Sequence, residues 1–362
     1  MSQEQKTYYL KDYRPPAYRV EYCSLTFDLH DDHTDVHSVL SLSRHPDPDA
    51  ESELVLNAEK MEIVSLAMDG ATLQNEQWVH DGEELRIHLD LPDQFKLQVH
   101  NRIEPQKNTS LNGLYRSGSM FCSQCEPHGF RCITPYVDRP DVLAKFDVRI
   151  EANRKKYPVL LSNGNPVDSG SLADGRHFAE WQDPFPKPSY LFALVAGNLE
   201  VVQDGFTTAS GRKIELRIYV EEKDLNKVEW SLGSLKRAMQ WDEETYGREY
   251  DLDLFMIVAV DDFNMGAMEN KGLNIFNTSA VLANPAITTD QRFQWIEAVV
   301  AHEYFHNWSG NRVTCRDWFQ LSLKEGFTVY RDSQFTADMH SAVVKRIEDV
   351  RMLRSYQFVE DS

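Results

Sequence analysis

The sequence is poor in cysteine and in positive charge, and it has no long hydrophobic run. Its five cysteines are an odd number for a disulfide framework, so we expect reduced and buried thiols. Acidic residues number 57 against 38 basic ones, and the net charge of −19 argues against nucleic acid as the main partner. Because no stretch of 18 or more apolar residues occurs, the sequence predicts no membrane-spanning helix.

The first residues, 1–6, are polar and lack the apolar segment of a signal peptide. Together with the odd cysteine count, this predicts a cytoplasmic protein, which we expect to be a monomer. The spacing of Cys122 and Cys125, with Cys132 nearby, would suit half of a zinc knuckle or a redox pair. A second ligand pair and a βαβ context are both missing, which favours free thiols.

The first half of the chain alternates apolar and polar residues, the period of strands with one dry and one wet face. Strands are predicted at 18–29, 36–42, 85–91, 144–151 and 157–162. Turn signals at short intervals favour an antiparallel sandwich or saddle. Residues 106–140 are predicted to form an irregular loop that carries site residues. A turn is expected at 163–166, and the proline-rich stretch 183–188 is expected to interrupt the β-structure.

The periodicity changes after residues 196–198, which we predict to be a domain boundary. Beyond it, strands are predicted at 213–220, 254–260 and 274–277, and helices at 225–246, from 288–290 onward, around 321–330 and over 338–362. Strands and helices mixed within one segment favour an α+β domain. The chain is therefore predicted to be multidomain, with an all-β domain over 1–198 and an α+β domain over 199–362.

An H-E-x-x-H motif lies in the helix predicted after residues 288–290, at His302, Glu303 and His306. Residues four apart share one helix face, about 5–6 Å apart at Cβ, so both imidazoles can face one ion. Glu303 lies beside them, where its carboxylate can activate a water molecule, as in zinc metallopeptidases. The alternatives are a chance motif, expected on the order of a few per cent of the time, or two satisfied core histidines.

A catalytic zinc ion needs a third protein ligand and one open position. Glu325 follows His306 after 18 residues, in an apolar-periodic segment expected to be a second helix packed antiparallel to the first. The alternative for Glu325 is a solvated helix carboxylate. Asp332, seven residues later, is either an acceptor that orients a histidine ring or a surface residue.

The stretch Gly266-Ala267-Met268-Glu269-Asn270 precedes the H-E-x-x-H motif and Glu325. This combination resembles the M1 (gluzincin) aminopeptidases. The match extends through 124–126, 138–142 and 189–197, and so over essentially the whole chain. The resemblance implies a saddle-like β domain followed by a thermolysin-like catalytic domain.

The resemblance also implies roles for individual residues. One Zn²⁺ per chain would be held by His302, His306 and Glu325, and Glu303 would be the general base. The substrate would be bound by Gln124, Glu126, Met265, Gly266, Ala267, Met268, Glu269 and Asn270. Within that set, Glu269 and Glu126 would bind the α-ammonium of the substrate, a carboxylate pair that only a free N-terminus satisfies.

The activity so implied is that of a zinc-dependent aminopeptidase, of the membrane alanyl aminopeptidase type, which releases amino acids from peptides with a free N-terminus. Members of the family are longer than this chain, so we expect the catalytic domain to be incomplete at its C-terminal end. The tyrosine that stabilises the oxyanion in the family would then lie beyond Ser362. We therefore expect residues 1–362 alone to have low activity or none.

Two other functions fit part of the pattern. One is a zinc endopeptidase, or the leukotriene-hydrolase branch of the same family, and cleavage of N-acetylated peptides would distinguish an endopeptidase. The other is a non-enzymatic interaction module. Such a module is expected to lose Glu303 or a metal ligand, and the sequence keeps all of them.

Overall fold

The structure is a computed structural model that describes residues 7–362. Fifteen strands precede residue 198: β1 Tyr18–Leu29, β2 Thr34–Arg44, β3 Val55–Asn57, β4 Glu62–Met68, β5 Ala71–Thr72, β6 Trp78–His80, β7 Glu84–Ile87, β8 Gln94–Ile103, β9 Gly113–Ser117, β10 Met120–Gln124, β11 Ala144–Asn153, β12 Val159–Ser162, β13 Asn165–Ser171, β14 Arg176–Lys187 and β15 Leu194–Gly197. They confirm a β-rich first half.

These strands form three sheets. The largest has the order β13-β14-β11-β1-β2-β8-β4-β5, the second β12-β15-β10-β9, and the smallest β3-β7-β6. The pairings are antiparallel except between β1 and β11, which run parallel. Along β1, buried residues alternate with more exposed ones, as the period of two predicts.

The prediction of an irregular loop over 106–140 is wrong in part, because β9 and β10 form a hairpin there. Ser117 pairs with Met120, so the connection has two residues, and Gly118 supplies the positive φ of 56° that such a tight turn needs. All five residues of β10 are buried. A strand that is buried on both faces has no alternation for a sequence pattern to detect.

The expected interruption at 183–188 is also wrong in part, since β14 continues through two prolines and ends only at Lys187. Opposite them the register shifts: Ala144 pairs with Lys187, and the next pair is Phe146 with Asp183. Pro184 and Pro186 thus lie in an irregularity of the ladder, where a missing N–H costs no regular hydrogen bond. The predicted turn at 163–166 lasts only until Asn165, which begins β13. The strand predicted at 85–91 ends at Ile87.

The second half contains the strands β16 Glu200–Thr207, β17 Lys213–Val220, β18 Leu254–Val260, β19 Ala267–Met268 and β20 Leu273–Asn277, and the helices α1 Glu229–Tyr246, α2 Thr278–Val281, α3 Asp290–Phe305, α4 Leu321–Met339, α5 Ala342–Met352 and α6 Phe358–Glu360. The strands form one sheet of order β16-β17-β18-β20-β19, with a parallel centre and antiparallel edges. This confirms the predicted α+β architecture. The domain boundary at 198 stays a prediction.

The central strand β18 is buried along its whole length because the sheet is covered on both faces. Leu254, Met256 and Val258 point into a core shared with the first three sheets. Phe255 and Ile257 point into a second core with α1 and α3. The sheet that carries the candidate site is thus fixed between the two halves of the chain.

Helix α3 begins at the predicted cap, where the Thr289 side chain accepts a hydrogen bond from the Arg292 amide. Its far end is held by α4, because the Arg331 guanidinium donates to the Phe305 carbonyl at 2.9 Å and Phe335 packs on the Phe305 ring. These contacts fix α3 and α4 against each other at the H-E-x-x-H motif.

The last helices are exposed, and α5 presents apolar side chains such as Val343 and Ile347 to solvent. The predicted helical character of 338–362 is confirmed, although α4 extends to Met339. Among residues 7–362, none of the helices has the length and apolarity needed to cross a bilayer. All five cysteines are buried and unpaired, as predicted.

Candidate active site

The two histidines of the motif and Glu325 converge where α3 meets α4. His302 Nε2 lies 3.0 Å from His306 Nε2. One oxygen of Glu325, Oε2, lies 3.4 Å from His302 Nε2 and 3.3 Å from His306 Nε2. All three ligand atoms lie within 4.8 Å of one another. The spacing of 18 residues therefore brings Glu325 to the histidines.

The other nitrogen of each ring faces an acceptor. His302 Nδ1 lies 2.6 Å from Asp332 Oδ2, and His306 Nδ1 lies 2.8 Å from the Ser309 carbonyl oxygen. In a neutral ring, the proton then sits on Nδ1 and the lone pair of Nε2 is free. Two such lone pairs and a carboxylate oxygen, all aimed at one point, fit a zinc ion. Of the two alternatives for Asp332, the structure shows the ring contact.

Glu303 is buried beside this cluster, and its Oε2 has no hydrogen-bond partner among the described residues. Burial is the main cause that raises the pKa of Glu303 to about 8, and the charges of Glu269 and Glu325 add to it while those of His302 and Lys324 oppose it. A carboxyl group whose pKa lies near neutrality can both accept and return a proton. Its position and environment suit a general base.

A second group of carboxylates adjoins Glu325. Oxygen atoms of Glu126, Glu269 and Glu325 all lie within 4.8 Å of one another. Glu126 follows the end of β10, while Glu269 follows the edge strand β19, so the two halves of the chain each supply one. Burial and the neighbouring Glu269 charge raise the pKa of Glu126 to about 7. Such crowding of desolvated carboxylates favours a cation between them.

That space already contains one cation, which the sequence patterns did not indicate. Lys324 is 1% exposed, and its Nζ bonds to Glu269 and lies 2.9 Å from Glu126 Oε1 and 2.6 Å from Glu325 Oε1. Lysine is almost never fully buried without a partner. The position next to Glu325 was the only available signal, since burial of a lysine leaves no trace in the sequence.

The remaining predicted substrate residues are neighbours of Glu126 or Glu269 in the chain, on or next to β10 and β19. Gln124, at the end of β10, is buried with its Oε1 unpartnered among the described residues. Ala267 and Met268 form β19, the outermost strand of its sheet. An edge strand leaves one row of main-chain N–H and C=O groups available to an extended peptide.

Three residues that flank or follow β19 complete the predicted set. Met265 is 40% exposed, while the carbonyl of Gly266 accepts from the Asn277 amide at 2.9 Å. Asn270 is buried, and neither polar atom of its side chain has a partner among residues 7–362. A further contact holds Glu269 in place, since Asn311 Nδ2 donates to its carbonyl at 2.9 Å.

Comparison with known families agrees with this geometry. Residues 15–191 match the Peptidase M1 N-terminal domain, and residues 230–361 match the Peptidase family M1 domain. The fold and the site thus define the class, and the chain belongs to the M1 peptidase family. The family resemblance predicted from the sequence is confirmed.

Within the family, the chain is similar to bacterial aminopeptidase N. It is 59% identical to aminopeptidase N of Caulobacter vibrioides over 98% of this chain and 40% of that protein. It is 53% identical to the Escherichia coli protein over 100% of this chain and 41% of that one. A crystal structure of Legionella pneumophila aminopeptidase A in complex with aspartic acid superposes with a TM-score of 0.90, at 37% identity, over 94% of this chain and 40% of that one. The chain thus spans less than half the length of these relatives.

Proposed function

We propose that this chain carries the active site of a zinc-dependent aminopeptidase. The proposal rests on the position of Glu325, which belongs to two neighbouring clusters of side chains. Glu325 approaches His302 and His306 with one oxygen, and its carboxylate also lies within 4.8 Å of Glu126 and Glu269. A metal site and an ammonium site are therefore adjacent.

In this proposal, His302, His306 and Glu325 hold one zinc ion, which when bound acts as a Lewis acid on the scissile carbonyl. Glu303 accepts the proton of the attacking water and returns it to the leaving amine. Asp332 keeps the His302 ring in the orientation that exposes Nε2. The environment of each of these side chains is consistent with the role proposed for it.

Glu126 and Glu269 would bind the α-ammonium of the substrate, with Gln124 offering its unpartnered oxygen. The edge of β19 would align the peptide backbone beside them, and Met265 would wall the pocket for the first side chain. A peptide entering with an internal residue at this position would bring no ammonium group, so that Lys324 alone would balance the charges of Glu126 and Glu269. This cost favours an exopeptidase over the endopeptidase alternative.

The experiment compares an alanine anilide with its N-acetylated form, using the zinc-loaded protein at its full length. We expect acetylation to abolish cleavage. Glu269→Gln should lower kcat/KM for the unblocked anilide on the order of 100-fold, with zinc content unchanged, because it removes one charge of a buried ion pair. Glu222→Gln, at an exposed glutamate, is the matched control. Equal cleavage of blocked and unblocked substrates would contradict the proposal.

Four finer expectations remain predictions: alanyl-type specificity, a monomer, cytoplasmic location, and low activity of residues 1–362 alone. The unpaired state of all five cysteines supports a reducing compartment. Hydrolysis of alanine and leucine anilides by residues 1–362, set against the full-length protein, tests both specificity and the activity of this part. Robust turnover by residues 1–362 would contradict the last expectation.

A further inference from the structure

Lys324 lies within the site, but the mechanism proposed above gives it no role. It is the only cationic side chain that forms an ion pair with Glu126 or Glu269 in the part of the chain that the structure describes. Both carboxylates are largely shielded from water, with 14% and 4% of their side chains exposed, respectively. Without a cation, they would repel each other and Glu325 at close range.

Contacts at both ends of the Lys324 side chain fix its position. Its stem passes Gly310, where an added Cβ would lie 2.8 Å from Lys324 Cγ and 2.8 Å from His306 Nδ1. Gly310 also has a φ of +125°, which other residues rarely adopt. At the other end, Nζ lies 5.3 Å from the centre of the Tyr190 ring. The ammonium group is thus held in one place by packing as well as by charge.

We propose that Lys324 is a positioning residue that shapes the ammonium site and joins it to the metal site. Nζ holds Glu325 by Oε1, so that Oε2 is the oxygen that faces His302 and His306. The same Nζ draws Glu126 and Glu269 together. This inference rests on the proposed function and adds a residue to it.

The charge balance indicates what the site lacks. Glu126 and Glu269 carry two negative charges when ionised, and Lys324 supplies one positive charge. A substrate ammonium supplies that missing charge. With Lys324 in place, the remaining negative charge of the site matches a ligand with a single positive charge. Without Lys324, the same carboxylates would favour a second metal ion or would take up protons.

The direction in which ammonium binding changes when Lys324 is replaced distinguishes a positioning role from simple repulsion of the substrate. If Lys324 only repelled the substrate ammonium, removing its charge would tighten ammonium binding. If it holds the carboxylates in place, removing it lets them separate, and ammonium binding weakens. A general loss of folding or of zinc would weaken every ligand of the site to the same degree.

The test uses two ligands that share a zinc-binding group and differ in the amine: alanine hydroxamate and propanohydroxamate. Calorimetry measures both affinities on the zinc-loaded, full-length protein. We expect the wild type to prefer the aminated ligand, and Lys324→Met to reduce that preference about tenfold or more. Lys324→Arg, which keeps the charge, should retain more of the preference than Lys324→Met. Lys155→Met, at an exposed lysine in the turn after β11, is the control.

An unchanged or increased preference in Lys324→Met would overturn the inference. If that variant does not fold, Lys324→Gln carries the same test, since it keeps a hydrogen-bond donor without the charge. A wild type that shows no preference for the aminated ligand would instead overturn the proposed ammonium site. The two failures are therefore distinguishable.

Discussion

At the scale of single residues, the ring orientation of His302 depends on one carboxylate. Asp332 lies seven residues after Glu325, so two turns of α4 present one proposed metal ligand and the partner of another on the same side. The Asp332 carboxylate is 18% exposed and contacts His302 Nδ1 at 2.6 Å. A short contact to a shielded acceptor restricts the ring to the orientation that exposes Nε2.

The variant Asp332→Asn should therefore weaken zinc binding by roughly 10-fold, because the amide is a poorer acceptor and holds the ring less firmly. Competition with a chelator measures the affinity. Asp338→Asn, on the same helix, removes a charge that contacts Trp241 instead of a histidine and should leave zinc affinity unchanged. Equal loss in both variants would show that helix stability, not ring orientation, sets the affinity.

A second residue-scale prediction concerns pH. Partial burial alone would raise the pKa of Asp35, but hydrogen bonds from Arg102 and His100 outweigh it and lower the pKa to about 2. Because the folded-state pKa lies below the unfolded value, this carboxylate stabilises the fold above pH 4 and loses that contribution between pH 4 and pH 2. Solvent screening limits the contribution to about 1 kcal/mol.

We thus expect Asp35→Asn to unfold more easily than the wild type at pH 7, by about 1 kcal/mol, and the difference to shrink as the pH falls from 4 towards 2. Denaturant unfolding at several pH values gives the free energies. Asp361→Asn, at an exposed position near the end of the chain, is the control. A difference that stays constant over this pH range would refute the assignment.

At the scale of elements, β18 shows why a continuous apolar run marks a strand between two cores. Its alternate side chains enter different cores, so both faces must be apolar. The same burial on both faces hid the β9–β10 hairpin from sequence analysis, because its shorter strands contain polar residues such as Ser123 and Gln124. Periodicity therefore detects elements with one wet face and misses short ones without it.

Shortening a buried side chain of β18 should therefore destabilise the fold. Ile257 is fully buried, and Ile257→Ala should lower the free energy of unfolding by about 3 kcal/mol, because it leaves a cavity that the sheet cannot close. Val201→Ala, on edge strand β16 of the same sheet where the side chain is 37% exposed, should change it by less than about 0.5 kcal/mol. Chemical denaturation checks both, and similar effects of the two variants would contradict the two-core account.

At the scale of the whole molecule, the two halves share a core and a site. Leu254, Met256 and Val258 belong to the core of the first half, although the chain reaches them after the predicted boundary. The proposed ammonium site likewise combines Glu126 from one half with Glu269 from the other. The first half is thus a structural partner of the second half and would contribute Glu126 to the proposed site.

A chain that begins at residue 199 should accordingly expose the β18 and β20 face that the first half covers. We expect it to bind a hydrophobic dye and to unfold with low cooperativity, whereas residues 1–362 bind little dye in the shared core. Dye fluorescence and thermal unfolding of the two chains make the comparison. Cooperative unfolding of the shorter chain without dye binding would show that the halves fold independently.

The sequence by itself determined the fold class, the metal-ligand triad as a candidate, and the family, because helical spacing and motif order are local properties of the chain. Only the tertiary structure decided that Asp332 contacts a ring, that Lys324 is buried among three carboxylates, and that β14 continues past Pro184 and Pro186. The physical reason is that burial, charge pairing and strand register arise from residues that are distant in sequence. No local pattern reports on such contacts, whereas three-dimensional packing creates them.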